Sequence, residues 1–290
     1  ISPWNFPVNL VFSPLAGIFS AGNRAMIKPS EYTPATSQLI KDLLEEAYSP
    51  EEVVVVLGGP EVGKAFAEMP FDHLLYTGSG SVAKHIMKSA AENLVPLTLE
   101  LGGKSPVIIG ESADLEVATN NIMAGKTLNA GQICLAPDYV FLPEGRKDEF
   151  LKHANNSISE MFPNLKDNPD YTSVINQSHF ERLNELVADA EQKGAEVIKL
   201  NPADEDFSQQ ENFRIAPTLI FNPDEEMKIM QEEIFGPLLP VKEYQEVEET
   251  ITYVNSKDRP LGLYYFGTDG EEQRKVLDKT TSGGVTINDV

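Results

Sequence analysis

Short apolar runs and longer amphipathic stretches alternate along this chain. Residues 25–28, 53–57, 74–77 and 97–101 are compact, mostly apolar runs and predict strands. Between them, residues 35–47, 61–68 and 81–93 carry apolar side chains at helical spacing. Alternation of this kind predicts a parallel sheet with crossover helices. Turn residues fall at the right joints: Lys28-Pro29-Ser30, Gly58-Gly59-Pro60, Gly78-Ser79-Gly80 and Gly102-Gly103.

A second α/β series comes after it. Strands are predicted over 106–109, 139–142, 196–200, 218–221, 239–243 and 263–266, and helices over 115–128, 147–161, 180–193, 247–255 and 271–279. The polar, acidic stretch 201–212 reads as a surface loop. No internal repeat or low-complexity tract interrupts the pattern. Gly102-Gly103 lets the chain turn between two sheets, so the expected domains are 1–104 and 105–290.

Composition narrows the function classes. A chain of 290 residues buries a large core and suits two domains. Its 23 basic against 45 acidic residues leave a net charge of −22, a surface that repels phosphate backbones and anionic lipid. Nucleic acid and membrane are therefore not expected partners. The acidic runs read as solvated surface. One cysteine excludes an internal disulfide framework, and the four histidines show no ligand spacing, so no metal is expected. No apolar run approaches the ~18 residues of a membrane helix, and no cleavable leader is present. These points favour a cytoplasmic location. The chain begins at Ile1, directly inside a Pro-Trp-Asn motif, and reads as truncated or processed at its ends.

Five segments can carry chemistry. Cys134, in NAGQICLAP (129–137), lies past a predicted helix and before a strand. A thiolate there is a nucleophile, and nearby backbone N–H groups can hold an oxyanion. A solitary cysteine also serves as a small core hydrophobe. Glu100 ends a strand at the carboxyl edge of a parallel sheet, where a partly buried carboxyl with a raised pKa suits general-base work; alone, it equally caps a turn. GSGSVA (78–83) follows a strand and opens a helix, as a pyrophosphate site requires, but Ala83 stands where the third glycine of the full motif belongs. Lys28 and Glu31 leave a strand for a helix. Glu31 can accept the hydroxyls of an adenine ribose, or Ser30 caps the helix with Glu31 in its first turn. EEIFGP (232–237) is a surface turn with Phe235 in the core, or a ribose and nicotinamide contact through Glu233 and Phe235. The histidines read as core or surface residues.

Taken together, these segments resemble the aldehyde dehydrogenase superfamily. The motifs PWNFP (3–7), KPSE (28–31), YTGS (76–79), LELGGK (99–104), GQIC (131–134) and EEIFGP (232–237) stand in the family's order over nearly the whole chain. PLTLEL (96–101), CLAPDY (134–139) and SGGVTINDV (282–290) are similar to the class-3 and coniferyl-aldehyde dehydrogenase branch. The resemblance implies a Rossmann-type parallel-sheet cofactor domain and a second α/β catalytic domain. It implies NAD(P)-dependent oxidation of an aldehyde, aromatic or medium- to long-chain aliphatic, to the carboxylic acid. Cys134 would attack the aldehyde, Asn5 would hold the oxyanion of the thiohemiacetal, and Glu100 would activate water against the thioester. Lys28 and Glu31 would hold the adenine ribose, Gly78 and Ser79 the pyrophosphate, and Glu233 and Phe235 the nicotinamide end. Ile1, Ser2, Trp4 and Leu101 complete the cofactor contacts.

The resemblance also implies a homodimer, a small-molecule aldehyde as substrate, and NAD, with NADP possible because Lys28 attracts a 2′-phosphate that Glu31 repels. Ala83 in place of a glycine would add a methyl group near the pyrophosphate turn, an expected tolerance. Family members carry further segments at both ends that close the substrate funnel and build the dimer. Competing readings are a non-catalytic binding protein on the same fold, an inactive core, a cysteine hydrolase, which would need a histidine partner for Cys134, and an acylating enzyme, which would usually lack Glu100.

Overall fold

A computed structural model of the chain describes residues 1–208 and 210–290; of the loop expected over 201–212, residue 209 lies outside the described residues. The chain folds as two compact units, Ile1–Leu101 and Gly102–Val290. The line drawn from sequence after Lys104 therefore falls within the second unit.

The first unit carries strands β1 (Ala25–Ile27), β2 (Val53–Val55), β3 (Leu74–Gly78) and β4 (Leu97–Leu101). Its helices are α1 (Asn9–Ser20), α2 (Pro34–Ala47), α3 (Pro60–Ala67) and α4 (Gly80–Ala91). β1 pairs with β2 and β3 with β4, both in parallel. The extended Ile1-Ser2 segment bridges the pairs: Thr77 N–H donates to Ile1 O at 3.2 Å and Ser2 N–H to Lys28 O at 3.1 Å. Helices α2, α3 and α4 each follow a strand, as right-handed crossovers require. All the strands thus present their carboxyl ends to one edge.

One helix was not predicted, and two local expectations change. α1 was not legible because Pro14 and Gly17, residues that read as loop, lie inside it, and its Val11 and Leu15 are buried. α2 begins at Pro34 with Thr33 before it, not at Ser30. Instead the Ser30 hydroxyl accepts from Tyr32 N–H, which makes a turn that leaves Glu31 outside the helix. The Ala83 methyl belongs to the apolar cluster of Phe66, Leu74, Tyr76 and Ile86, and is 2% exposed. It packs inward from α4, so it fills core and not the turn.

The second unit holds β5 (Pro106–Ile109), α5 (Leu115–Thr127), a 3-10 turn (Leu128–Gly131), β6 (Tyr139–Pro143), α6 (Lys147–Met161) and α7 (Gln177–Gln192). Next come β7 (Glu196–Lys199), β8 (Thr218–Phe221), α8 (Lys228–Gln231), β9 (Leu238–Tyr244), α9 (Val247–Asn255), β10 (Gly262–Phe266), α10 (Gly270–Lys279) and β11 (Gly284–Ile287). They form one sheet in the order β11-β10-β5-β6-β9-β8-β7, parallel throughout except where β7 meets β8. The neighbouring strands β5 and β6 are apolar at every position because both faces are covered. Val107, Ile109, Val140 and Leu142 meet α5 and α6, while Ile108, Phe141 and Tyr265 face Val247, Ile251 and Val276 of α9 and α10. The short α8 and the edge strand β11 lacked a periodic signal long enough to read.

Replacing Ala83 by Gly tests the inward packing. It is expected to lower unfolding stability by about 1–2 kcal/mol, from helix propensity and a lost buried methyl. The measurement is the urea midpoint; an unchanged midpoint would show that the methyl is not packed.

Candidate active site

Parallel strands end together, so the residues just past each strand gather at one edge. In the first unit this edge collects Lys28 after β1, Gly78-Ser79 at the end of β3, and Glu100-Leu101 at the end of β4. Register places Thr77 opposite Glu100 and Gly78 opposite Leu101. Glu100 is exposed, not partly buried as expected, and Leu101 is half-buried.

Lys28 is buried, and its Nζ pairs with Glu31 Oε2 at 2.7 Å. Partial burial pulls the Glu31 carboxyl upward, but the bond and charge of Lys28 outweigh it and hold the group below its ordinary value. Ser79 caps α4, its hydroxyl accepting from Val82 N–H at 3.4 Å. Gly78 has no room for a side chain: a Cβ would lie 2.3 Å from Tyr76 Oη. Gly80, the first residue of α4, has open space around its Cβ direction. A helix N-terminus with free room before it and a carboxylate on the same strand edge fit the phosphates and ribose of a dinucleotide. Trp4 and Asn5 lie half-buried in the bend after Ile1-Ser2. The Ser2 hydroxyl is buried without a hydrogen-bond partner among the described residues.

In the second unit, α5 runs into a tightly wound turn before Cys134. Asn129, Ala130 and Gly131 have φ of 50°, 52° and 70°. Left-handed backbone costs non-glycine residues about 1–2 kcal/mol each, so something must hold it. Gln132, itself buried, does so: its Nε2 donates to Asn129 O at 2.9 Å and Ser173 O at 3.1 Å, while its Oε1 accepts from Ile175 N–H at 2.9 Å. Gly131 is required twice over, by φ and because a Cβ would lie 2.3 Å from Gly236 O. Cys134 sits half-buried in the following turn. Beyond it, Tyr264 donates its hydroxyl to Leu135 O.

The chain then meets a set of charges, with Asp138 and Lys126 buried and Lys104 and Glu233 half-buried. Lys104 Nζ pairs with Asp138 Oδ1 at 2.5 Å and donates to Ile229 O at 2.7 Å and Glu232 O at 2.9 Å. Asp138 Oδ2 accepts from Ile234 N–H at 2.9 Å. Lys126 donates to Pro137 O at 2.8 Å, and burial pushes its ammonium down to about 8. Glu233 lies over Gly102-Gly103, accepting from Gly103 N–H at 3.1 Å, and a Cβ on Gly102 would meet its carboxylate at 2.0 Å. Arg182 donates to Ile234 O at 2.6 Å and pairs with Glu232 at 3.0 Å. Phe235, half-buried, has φ of 49°. Burial raises the Glu233 carboxyl to about 7; the Asp138 charge adds to it, and Gly103, Lys104 and Arg182 offset only part.

The structure therefore brings the Glu233 segment, which also carries Phe235, into one network with the Cys134 turn, and gathers Lys28, Glu31, Gly78, Ser79, Glu100 and Leu101 along one strand edge. Sequence reasoning passed over Gln132, Lys104, Asp138, Lys126 and Arg182. The one available signal was a lone charge between glycines or beside apolar residues, as in GGKSP and APDYV. His73 bonds Thr98 at 2.9 Å, His85 is exposed on α4, and His153 lies 3.8 Å from Glu149. Burial, with Arg182 nearby, lowers the His179 pKa. No cluster of three metal-binding side chains exists among the described residues.

A raised folded-state pKa sets the sign of a stability test. Below its unfolded pKa Glu233 is protonated in both states; as pH rises towards about 7 the unfolded chain ionises first, so the group increasingly disfavours folding. Glu233→Gln, which keeps an acceptor for Gly103 N–H, is expected to gain stability over the parent at pH ~8 and almost none at pH ~4. Urea midpoints at both pH values check this.

The model of the aldehyde dehydrogenase family matches residues 1–290. A probable coniferyl aldehyde dehydrogenase of Caulobacter vibrioides is 62% identical over 290 residues, covering 100% of this chain and 60% of the relative. The substrate-bound AldH of Staphylococcus aureus superimposes with a TM-score of 0.93 at 39% identity, covering 100% of this chain and 62% of that one. The betaine aldehyde dehydrogenase of S. aureus, in complex with NAD+, gives a TM-score of 0.89 at 30% identity, covering 99% and 58%. The chain thus spans about 60% of the length of the curated relative. No helix among the described residues is long and apolar enough to cross a membrane.

Proposed function

The chain belongs to the aldehyde dehydrogenase family, and from that membership we propose that it oxidises an aldehyde to the carboxylic acid with NAD. The observation that carries the reading is the Cys134 turn: the only thiol in the chain, half-buried, on a left-handed turn fixed by Gln132 and Gly131. A turn held at such conformational cost pre-organises a nucleophile.

In this reading the Cys134 Sγ bonds to the aldehyde carbon and gives a thiohemiacetal. Asn5 and the Cys134 N–H donate to the oxyanion that forms. NAD, when bound, supplies the acceptor for the hydride that leaves the same carbon. The product on Cys134 is a thioester. The Glu100 carboxylate, exposed at its strand end, takes a proton from water, whose oxygen then displaces the thiolate. Lys28 and Glu31 hold the adenine ribose, Gly78 and Ser79 the pyrophosphate, and Glu233 and Phe235 the nicotinamide end. Ile1, Ser2, Trp4 and Leu101 line the cofactor. The first unit then serves as cofactor-binding domain and the second as catalytic domain.

The cofactor preference rests on the 2.7 Å Lys28–Glu31 pair. Glu31 neutralises the cation that a 2′-phosphate would seek and repels the phosphate itself. Coniferyl-type aromatic aldehydes are the proposed substrates, supported by the identity to the Caulobacter relative; aliphatic aldehydes are the next class to assay. The proposal extends to a homodimer in the cytoplasm.

The test is NADH formation with an aromatic aldehyde. Cys134→Ala is expected to reduce turnover on the order of 10³-fold or more while NAD still binds; turnover retained in that variant would sink the mechanism. Glu31→Gln should raise the ratio of NADP to NAD efficiency by about tenfold, a 1.4 kcal/mol change. An unchanged ratio would remove Glu31 from cofactor selection.

A further inference from the structure

We propose that Lys104 and Asp138 are positioning residues that join the segment holding the nicotinamide end of the cofactor to the turn carrying Cys134, so that filling the one sets the other. The proposal rests on the reading above for the roles of Cys134 and Glu233.

An ammonium has three N–H donors, and Lys104 uses them on Asp138 Oδ1, Ile229 O and Glu232 O. The second oxygen of Asp138 takes Ile234 N–H. This one ion pair, its carboxylate buried, therefore grips the backbone on both sides of Glu233. Asp138 closes the loop that runs on from Cys134, and the Pro137 carbonyl beside it is pinned by Lys126. A second grip acts at the other end: Gly131 abuts Gly236 so closely that a Cβ would lie 2.3 Å from the Gly236 oxygen. The turn carrying Cys134 is thus attached before and after the thiol to the single segment 232–236. Close-packed groups do not deform independently, so a shift of that segment reaches the thiol through residue 131, residue 138 or both.

Cys134 is the only cysteine, so alkylation by iodoacetamide reads a single site. Its rate is measured with and without NAD in the parent chain, in Asp138→Asn and in Lys104→Met, with NAD occupancy measured separately by calorimetry and folding by thermal melts. The parent is expected to change its alkylation rate roughly 5-fold or more on binding NAD, the low end of ordinary site-to-site coupling. The variants are expected to bind NAD while the change falls below about 2-fold. A folded variant that binds NAD and keeps the full change overturns the proposal. Should both variants fail to fold, hydrogen exchange on the parent decides: NAD must slow exchange across 232–236 and across 131–138 together. Protection confined to 232–236 overturns it. A parent that binds NAD without any change at Cys134 overturns the coupling alone, whereas a parent that binds no NAD removes the cofactor reading and the proposal with it.

Discussion

Lys104 and Asp138 hold three segments that are far apart in sequence: the Gly102-Gly103 turn, the start of β6 just past Cys134, and the Glu232–Ile234 backbone. Neither charge sits in bulk water, so each depends on the other and on the backbone groups around it. Asp138 is buried and Lys104 half-buried, so removing the lysine leaves a buried carboxylate charge uncompensated, a change that destabilises the fold. Lys126 and Glu233 lie beside the pair, and burial drives both towards their neutral forms, the ammonium down and the carboxyl up. The left-handed turn before Cys134 exists inside this frame, since Gly131 rests on Gly236 and Gln132 on Ser173 and Ile175.

The first unit solves a different problem by strand polarity. Its parallel pairs place Lys28, Gly78, Ser79, Glu100 and Leu101 along one edge although they are scattered through the chain. The Lys28–Glu31 pair places a partnered cation and its carboxylate at that edge, and the α4 N-terminus adds donors. Ala83 fits the same logic. Where a third glycine is usual, the methyl turns inward and joins the core, so the substitution leaves the turn geometry to Gly78 and Gly80.

Much of the fold was legible because burial writes a period into the sequence. β5, α6, β8 and α9 fall at their predicted bounds, and most other elements differ by a residue or two at their ends. The losses have specific causes. α1 hides behind Pro14 and Gly17, and β11 is a short edge strand that becomes regular only through its pairing with β10. Ser30 looks like a helix cap, yet Pro34 sets the start of α2 because its fixed φ suits the first helical turn.

The sequence by itself determined the α/β alternation, the family, and the candidate set of Cys134, Glu100, Asn5 and the cofactor residues, since these are local matters of period and motif. Only the tertiary structure decided what surrounds them. That Glu100 is exposed, that Glu233 lies on Gly103, and that Gln132, Lys104 and Asp138 support the Cys134 turn depend on contacts between distant segments. Burial of charge and the space left for a side chain are properties of the packed chain, and no local pattern of residues encodes them.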